Sequence, residues 1–228
     1  MPKKIVIDIE TIGKDFESFD DMSKEYLLKY AETEEKIQDA KDSLAFSPLT
    51  GEIVAIGMLN PDTKQGKVFF QSPDNAQEPF EKDGIQFIAD TEAGILKRFW
   101  EYMKLYDQII TFNGRAFDAP FIMIRSAILG IKPTRDLMPN RYSGMSHIDL
   151  LDQLTFFGSV RRKFNLHMWC KAFGIKSPKE EGVTGLEVKN PFEEGKYIEI
   201  AKYCLGDLYA TMELFEYWEK FIKFPPNP

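Results

Sequence analysis

The chain has little cysteine, little histidine, no long apolar run and no excess of positive charge. Two cysteines, Cys170 and Cys204, in 228 residues are too few for a disulfide framework or a zinc site, and both read as small buried thiols in a reducing compartment. The two histidines, His147 and His167, stand at no metal-ligand spacing to each other and read as structural or surface residues. The best candidate for a membrane span, Ala119 to Ile131, is interrupted by Arg125 and is far shorter than a bilayer requires. No basic-then-apolar leader precedes the first strand, so a cytoplasmic location is expected. With 29 basic against 36 acidic residues the net charge is −7. A passive nucleic-acid binder is usually basic, because phosphate neutralisation supplies most of its affinity. Acidity does not count against an enzyme that reaches phosphates through bound cations.

What is present is an ordinary globular composition, 43% hydrophobic and 29% charged. The length suits one domain with embellishments spanning residues 1–228. Lys3 to Glu10 (KKIVIDIE) is a β-branched run suited to a strand buried on both faces, bounded by a turn-like Thr-Ile-Gly. An acidic surface insertion follows over about residues 14–43, with a helical stretch around Lys24 to Lys41 and sparse apolar positions. Strands are expected at Glu52 to Leu59 and Lys67 to Gln71, joined as a hairpin by Asn60-Pro61-Asp62. Thr91 caps a helix to Lys104, Gln108 to Phe112 forms a short strand, and Asn113-Gly114 turns the chain. Asp118 to Leu129 is a helix with Pro120 in its first turn, and Leu166 to Phe173 is a helix stopped by Gly174. Ile148 to Phe156 is mixed. In the last helix Ile198, Ala201, Leu205, Leu208, Met212 and Phe215 form one apolar stripe, and a proline-rich tail at 225–228 cannot continue it. Strands first and interleaved helices later give an α/β class.

The acidic residues carry the chemistry. Asp8 and Glu10 are two apart on a strand, so both leave the same face, where unpaired charge is costly to bury. The bland alternative is that the strand ends at Ile9 and both acids are solvated. Asp118 taken alone reads as a helix N-cap. Tyr203 and Asp207, four apart on the last helix, share a face well away from the centre of the apolar stripe and taken alone read as solvated. Arg161-Arg162-Lys163 with Phe164 reads as a solvated run, with phosphate contact as its alternative. Asp152 reads as a cap or surface acid, and Asp149 stays open as a group near a metal site.

Together the segments have an order. Asp8-Ile9-Glu10, Asn113 to Asp118 (Asn-x-x-x-Phe-Asp) and Tyr203 to Asp207 (Tyr-x-x-x-Asp) resemble the three motifs of the DEDD exonucleases in their tyrosine-bearing branch. Lys202 occupies the position where the histidine-bearing branch has its histidine. With His147-Ile148-Asp149-Leu150, the chain resembles from Lys4 to about Phe221 the stand-alone exonucleases related to the proofreading domain of family B DNA polymerases.

That resemblance implies a ribonuclease H-like fold, with a mixed central sheet of hairpin strands followed by parallel strands, flanked by helices. It implies a two-metal site for Mg²⁺ or Mn²⁺ held by Asp8, Glu10, Asp118 and Asp207, with Tyr203 positioning the attacking water. It also implies that Asn113 and Phe117 contact the terminal nucleotide, with core packing as the alternative for Phe117. The expected partner is a nucleic-acid 3′ end, single-stranded DNA favoured and RNA possible, with no membrane and no covalently attached polymerase. A catalytically silent module is the rival class. A sugar hydrolase is weaker, because it gives no reason for the Tyr-x-x-x-Asp helix.

Overall fold

The computed structural model describes residues 2–72, 77–142, 146–178 and 188–224; the proline-rich tail lies outside them. Apolar runs in the first half form a hairpin meander. β1 (Lys4–Gly13) pairs antiparallel with β2 (Gly51–Leu59), which pairs antiparallel with β3 (Gly66–Gln71). Asn60 makes the second turn, its Oδ1 accepting the N–H groups of Asp62 and Thr63 at 2.9 and 3.1 Å. β6 (Gln108–Thr111) and β7 (His147–Asp149) then extend the sheet in parallel on the other side of β1. A further pair, β4 (Phe80–Lys82) and β5 (Ile85–Asp90), adds to the far edge, so the seven strands run β4-β5-β3-β2-β1-β6-β7. This mixed sheet, flanked by helices, is the ribonuclease H-like α/β arrangement.

Several expectations are corrected. Thr11-Ile12-Gly13 does not turn the chain: β1 continues to Gly13, so Asp8 and Glu10 lie inside the strand. The insertion holds two helices rather than one, α1 (Asp21–Leu28) and α2 (Glu34–Asp42), each with its own cap: Asp20 accepts from the Ser23 N–H and Thr33 from the Lys36 N–H. β4 and β5, not foreseen, are joined at Asp83-Gly84, where φ of 53° and 79° makes the left-handed turn that Asp-Gly favours. The mixed stretch from Ile148 resolves into β7 and α5 (Leu150–Leu154).

Two helices, α3 (Glu92–Met103) and α4 (Asp118–Ile128), cover one face of the sheet over Ile5, Ile7 and Ile9. On the other face α6 (Leu166–Phe173), α7 (Lys189–Glu193) and above all α8 (Tyr197–Phe221) cover Val6, Val54 and Val68. A buried ion pair ties the first layer together. Arg125 meets Glu92 through Nε at 2.8 Å and Nη2 at 2.6 Å, while Glu92 Oε1 also accepts the Ile53 N–H at 2.9 Å.

The second layer depends on close approach. Gly57 stands beside Asp8 in the β1–β2 ladder, and a Cβ there would come 2.5 Å from Leu208 Cδ1 and 2.8 Å from Cys204 Sγ. Gly57→Ala is therefore expected to cost roughly 1–3 kcal/mol by overpacking, read by urea denaturation. It should also lower activity by lifting α8 off the sheet. A variant with unchanged stability would show that α8 is not held this closely.

Candidate active site

β1 sets the first half of the site. Ile5, Ile7 and Ile9 point toward α3 and α4, while Val6 and Ile12 join the core beneath α8. Asp8 and Glu10 occupy the positions between those last two, where an apolar side chain would otherwise pack. A bulge between Glu10 and Thr11 ends the regular register just past the pair.

β6 leaves β1 early, its last pairing being Val6 with Ile110. Asn113, at φ 62°, then turns the chain, and Gly114 packs on Thr111 with no room for a Cβ. Asp149, at the end of β7, holds this turn. Its Oδ1 accepts the Asn113 N–H at 2.9 Å and the Leu151 N–H at 3.0 Å, and its Oδ2 accepts the Arg115 N–H at 2.9 Å. The turn delivers Asp118, whose Oδ1 accepts the Ile9 N–H at 3.1 Å, between the two acids of β1. Asp118 is thus the first residue of α4 and not its cap, which is Phe117 with no side-chain bond.

α8 supplies the rest. Cys204 and Leu208 contact the sheet at Gly57, and the Cys204 thiol donates to the Asp8 carbonyl at 3.7 Å. One turn of the same face carries Tyr203 and Asp207 toward β1. Tyr203 is buried rather than solvated, at 8% exposure, and its phenol is hydrogen-bonded to Asp207. The apolar stripe read from the sequence was too narrow: Ile200, Cys204 and Thr211 are also buried.

Electrostatically the corner is unfavourable. Burial first, and then the charges of Asp207 and Asp118, push the Asp8 and Glu10 carboxyls well above their ordinary range. Asp118 is raised to about 7, mainly by burial, with the Asp149 charge adding to it. Burial and the neighbouring carboxylates likewise raise the Tyr203 phenol, which stays protonated. Asp8 Oδ2 is buried and has no hydrogen-bond partner among the described residues.

These features fit a hard divalent cation. Ligand atoms of Asp8, Glu10 and Cys204 lie within 4.8 Å of one another. We set Cys204 aside as a ligand, because burial raises its thiol and the proton is donated to the Asp8 carbonyl. Carboxylate oxygens, not a protonated soft thiol, suit Mg²⁺ or Mn²⁺.

The corner opens into a cleft of about 400 Å³ lined by Asp8, Asn113, Tyr203 and Asp207 on one side, and by Lys163, Phe164, Asn165 and His167 on another. Arg161, Arg162 and Lys163 are exposed, as the solvated reading has it, and Lys163 and Phe164 also line this cleft. His167 bonds Ser177 Oγ through Nδ1 at 2.8 Å and joins the cleft wall, a place that no spacing in the sequence signals. Phe112 also lines the cleft. Phe117 does not; its ring packs near Phe121 and Phe46 at 5.5 and 6.4 Å. Asp152, read as a cap or surface acid, is buried and clasped by Arg141, whose Nε meets Oδ2 at 2.6 Å. His147 is buried between Thr111 Oγ1 and the Leu137 carbonyl, each at 2.9 Å, and burial lowers it to about 4.

The raised carboxyls make stability depend on pH. Between about pH 4, where unfolded carboxyls titrate, and about pH 7 Asp8, Glu10 and Asp118 bind more protons in the folded state than in the unfolded chain, and together they outnumber the opposite preference of His147. Metal-free protein should therefore lose stability as pH rises through that window. Thermal melts in EDTA should show a lower Tm at about pH 8 than at about pH 5.5, and Mn²⁺ should recover several degrees at the higher pH. A Tm that is flat with pH and indifferent to metal would contradict the shared repulsion.

Comparisons with known proteins give the chain a family. A family model described as a predicted 3′→5′ exonuclease related to the exonuclease domain of PolB matches residues 53–221. A DNA polymerase of Pyrococcus glycovorans is 30% identical over 143 residues, covering 56% of this chain and 18% of that protein. A DNA polymerase of Desulfurococcus sp. (strain Tok) is 32% identical over 146 residues, covering 54% and 18%. The chain thus spans less than a fifth of the length of these relatives. The solved family B DNA polymerase from the hyperthermophilic archaeon Pyrobaculum calidifontis superposes with a TM-score of 0.61 at 18% identity, over 96% of this chain and 25% of that one, a likeness of fold. Because the family match runs over most of its length, the chain belongs to the predicted 3′→5′ exonucleases related to the exonuclease domain of family B DNA polymerases.

Proposed function

We propose that the chain removes nucleotides one at a time from the 3′ end of single-stranded DNA, with Asp8, Glu10, Asp118 and Asp207 holding two divalent cations, Mg²⁺ or Mn²⁺. The observation that carries this reading is the corner itself. Four acids from three elements share it, Asp8 Oδ2 has no protein partner among the described residues, and a cleft leads to it. When bound, the cations neutralise phosphate charge and make water nucleophilic at neutral pH.

The reaction is hydrolysis of the terminal phosphodiester. The oxygen of water adds to the phosphorus and the bond from phosphorus to the 3′ oxygen breaks. A nucleoside monophosphate leaves, and the shortened strand keeps a 3′-hydroxyl. Tyr203 stays protonated, so it orients the water rather than deprotonating it. Asp207 accepts from that phenol and holds it in place. Asp149 fixes the turn that presents Asn113 to the terminal nucleotide and Asp118 to the corner. Phe112 and Phe164 offer stacking faces and Lys163 a phosphate contact along the cleft. Phe117 packs with Phe46, Phe121 and the core under α4, which favours its packing role over contact with the nucleotide. Two free, buried cysteines are compatible with work in the cytoplasm.

Single-stranded DNA and RNA labelled at either end, offered with Mg²⁺, Mn²⁺ or EDTA, test this directly. Stepwise loss from the 3′ end that EDTA abolishes, faster on DNA, is expected. Faster loss on RNA would transfer the same site to RNA, and no cleavage of any substrate would favour the silent module. Asp207→Asn should abolish cleavage with the fold intact. Tyr203→Phe should lower turnover by about 10–100-fold, as removal of an orienting partner does, and full activity in either variant would defeat the assignment.

A further inference from the structure

The insertion lies outside the segment matched by the family, and its packing is unusual. Neither α1 nor α2 buries a residue, and helices of eight and nine residues are too short to persist on propensity alone. Even so, large apolar side chains stand in water there. Met22 is 80% exposed, Tyr26 77% and Tyr30 79%. Met22 and Tyr26, four apart, share one face of α1.

Beside them runs a groove of about 550 Å³. Its walls include Phe19, Met22, Tyr26 and Leu27 from the α1 side, with Leu44 and Leu49 from the segment after α2. An apolar surface of this kind, exposed on a soluble chain, marks an interaction site.

Charge selects the occupant. From Lys14 to Asp42 there are ten acids and five lysines, so this segment holds five of the seven net negative charges of the chain. Two of those lysines, Lys24 and Lys41, are held by Glu17 at 3.0 and 3.9 Å and lie over the Phe16 ring. Asp20, Asp21, Glu25 and Asp42 are exposed and adjoin groove-lining residues in the chain. An acidic rim repels nucleic-acid phosphates, and it equally repels a second copy of this acidic chain.

We propose that this groove docks a protein partner presenting an amphipathic helix, with an apolar stripe flanked by Lys or Arg. The docked helix lies close to the catalytic corner. Leu44 is shared with a smaller pocket of about 250 Å³ that is also lined by Thr11, Ile12 and Gly13, directly after Glu10. Thr11 Oγ1 also donates to the Ala45 carbonyl at 2.8 Å, tying this segment to β1.

The test uses the full chain and a labelled peptide with Leu at three- and four-residue spacing and Lys on its flanks. A peptide with Glu in place of Lys and one with the Leu stripe scrambled serve as controls, and binding is read by fluorescence anisotropy. Only the Lys peptide with an intact stripe should bind. Met22→Ser/Tyr26→Ser should weaken it at least about tenfold, and Glu25→Lys should weaken it in the same direction. Both variants should cleave a short single-stranded oligonucleotide as the parent does, which shows them folded. The proposal is overturned if the Lys peptide fails to bind, binds the double variant equally, or binds no better than its scrambled control. It is also overturned if sedimentation shows a dimer of this chain that Tyr26→Ser dissolves, since the groove would then serve a second copy.

Discussion

Mutual repulsion among crowded carboxylates, two of them buried and two half-buried, is the constraint around which this chain is built. Asp8 and Glu10 sit on the apolar face of a central strand, and the charges of Asp118 and Asp207 bear on them at close quarters. Left to themselves such groups take up protons or move apart. The fold denies them the second course. Asp118 is anchored to the Ile9 N–H, Asp149 clamps the preceding turn through three backbone donors, and Gly57 lets α8 come close enough to bring Tyr203 and Asp207 over β1. Packing free energy from both cores thereby holds an arrangement that electrostatics alone would disperse. A cation held there would turn the repulsion into ligation.

Much of this was legible in the sequence, and each success has a local cause. The period of two on β1 put Asp8 and Glu10 on one face, and the caps and turns at Thr91, Asn60 and Gly174 lie where their chemistry places them. Asp118 and Asp207 were not legible singly. Each sits where a helix ordinarily carries an acid, and only the order of all three segments singled them out. β4 and β5 escaped because β4 has three residues, too few to show a period, although Asp83-Gly84 was a usable turn signal. Asp152 was misjudged, and the place of His167 in the cleft wall went unseen, for a different reason. Their surroundings come from Ser177 and Arg141, ten and eleven residues away, and no local pattern encodes such contacts.

Charge is divided unevenly along the chain, and the division matches two kinds of surface. Beside the acidic corner the cleft carries Lys163 and aromatic faces suited to a strand of nucleic acid. The insertion, strongly acidic and apolar at its groove, is suited to neither phosphate nor base. A net charge of −7 therefore says little about substrate, because most of it belongs to the insertion and not to the cleft.

If the four carboxylates form a site completed by a cation, metal binding must release protons. Mn²⁺ is titrated calorimetrically into the metal-free chain at about pH 6.5, in two buffers of different ionisation enthalpy, because ligating carboxylates must give up their protons. Mn²⁺ should bind with net proton release, and both should be lost in Asp8→Asn. Absence of binding, or binding with no protons released, would contradict such a site.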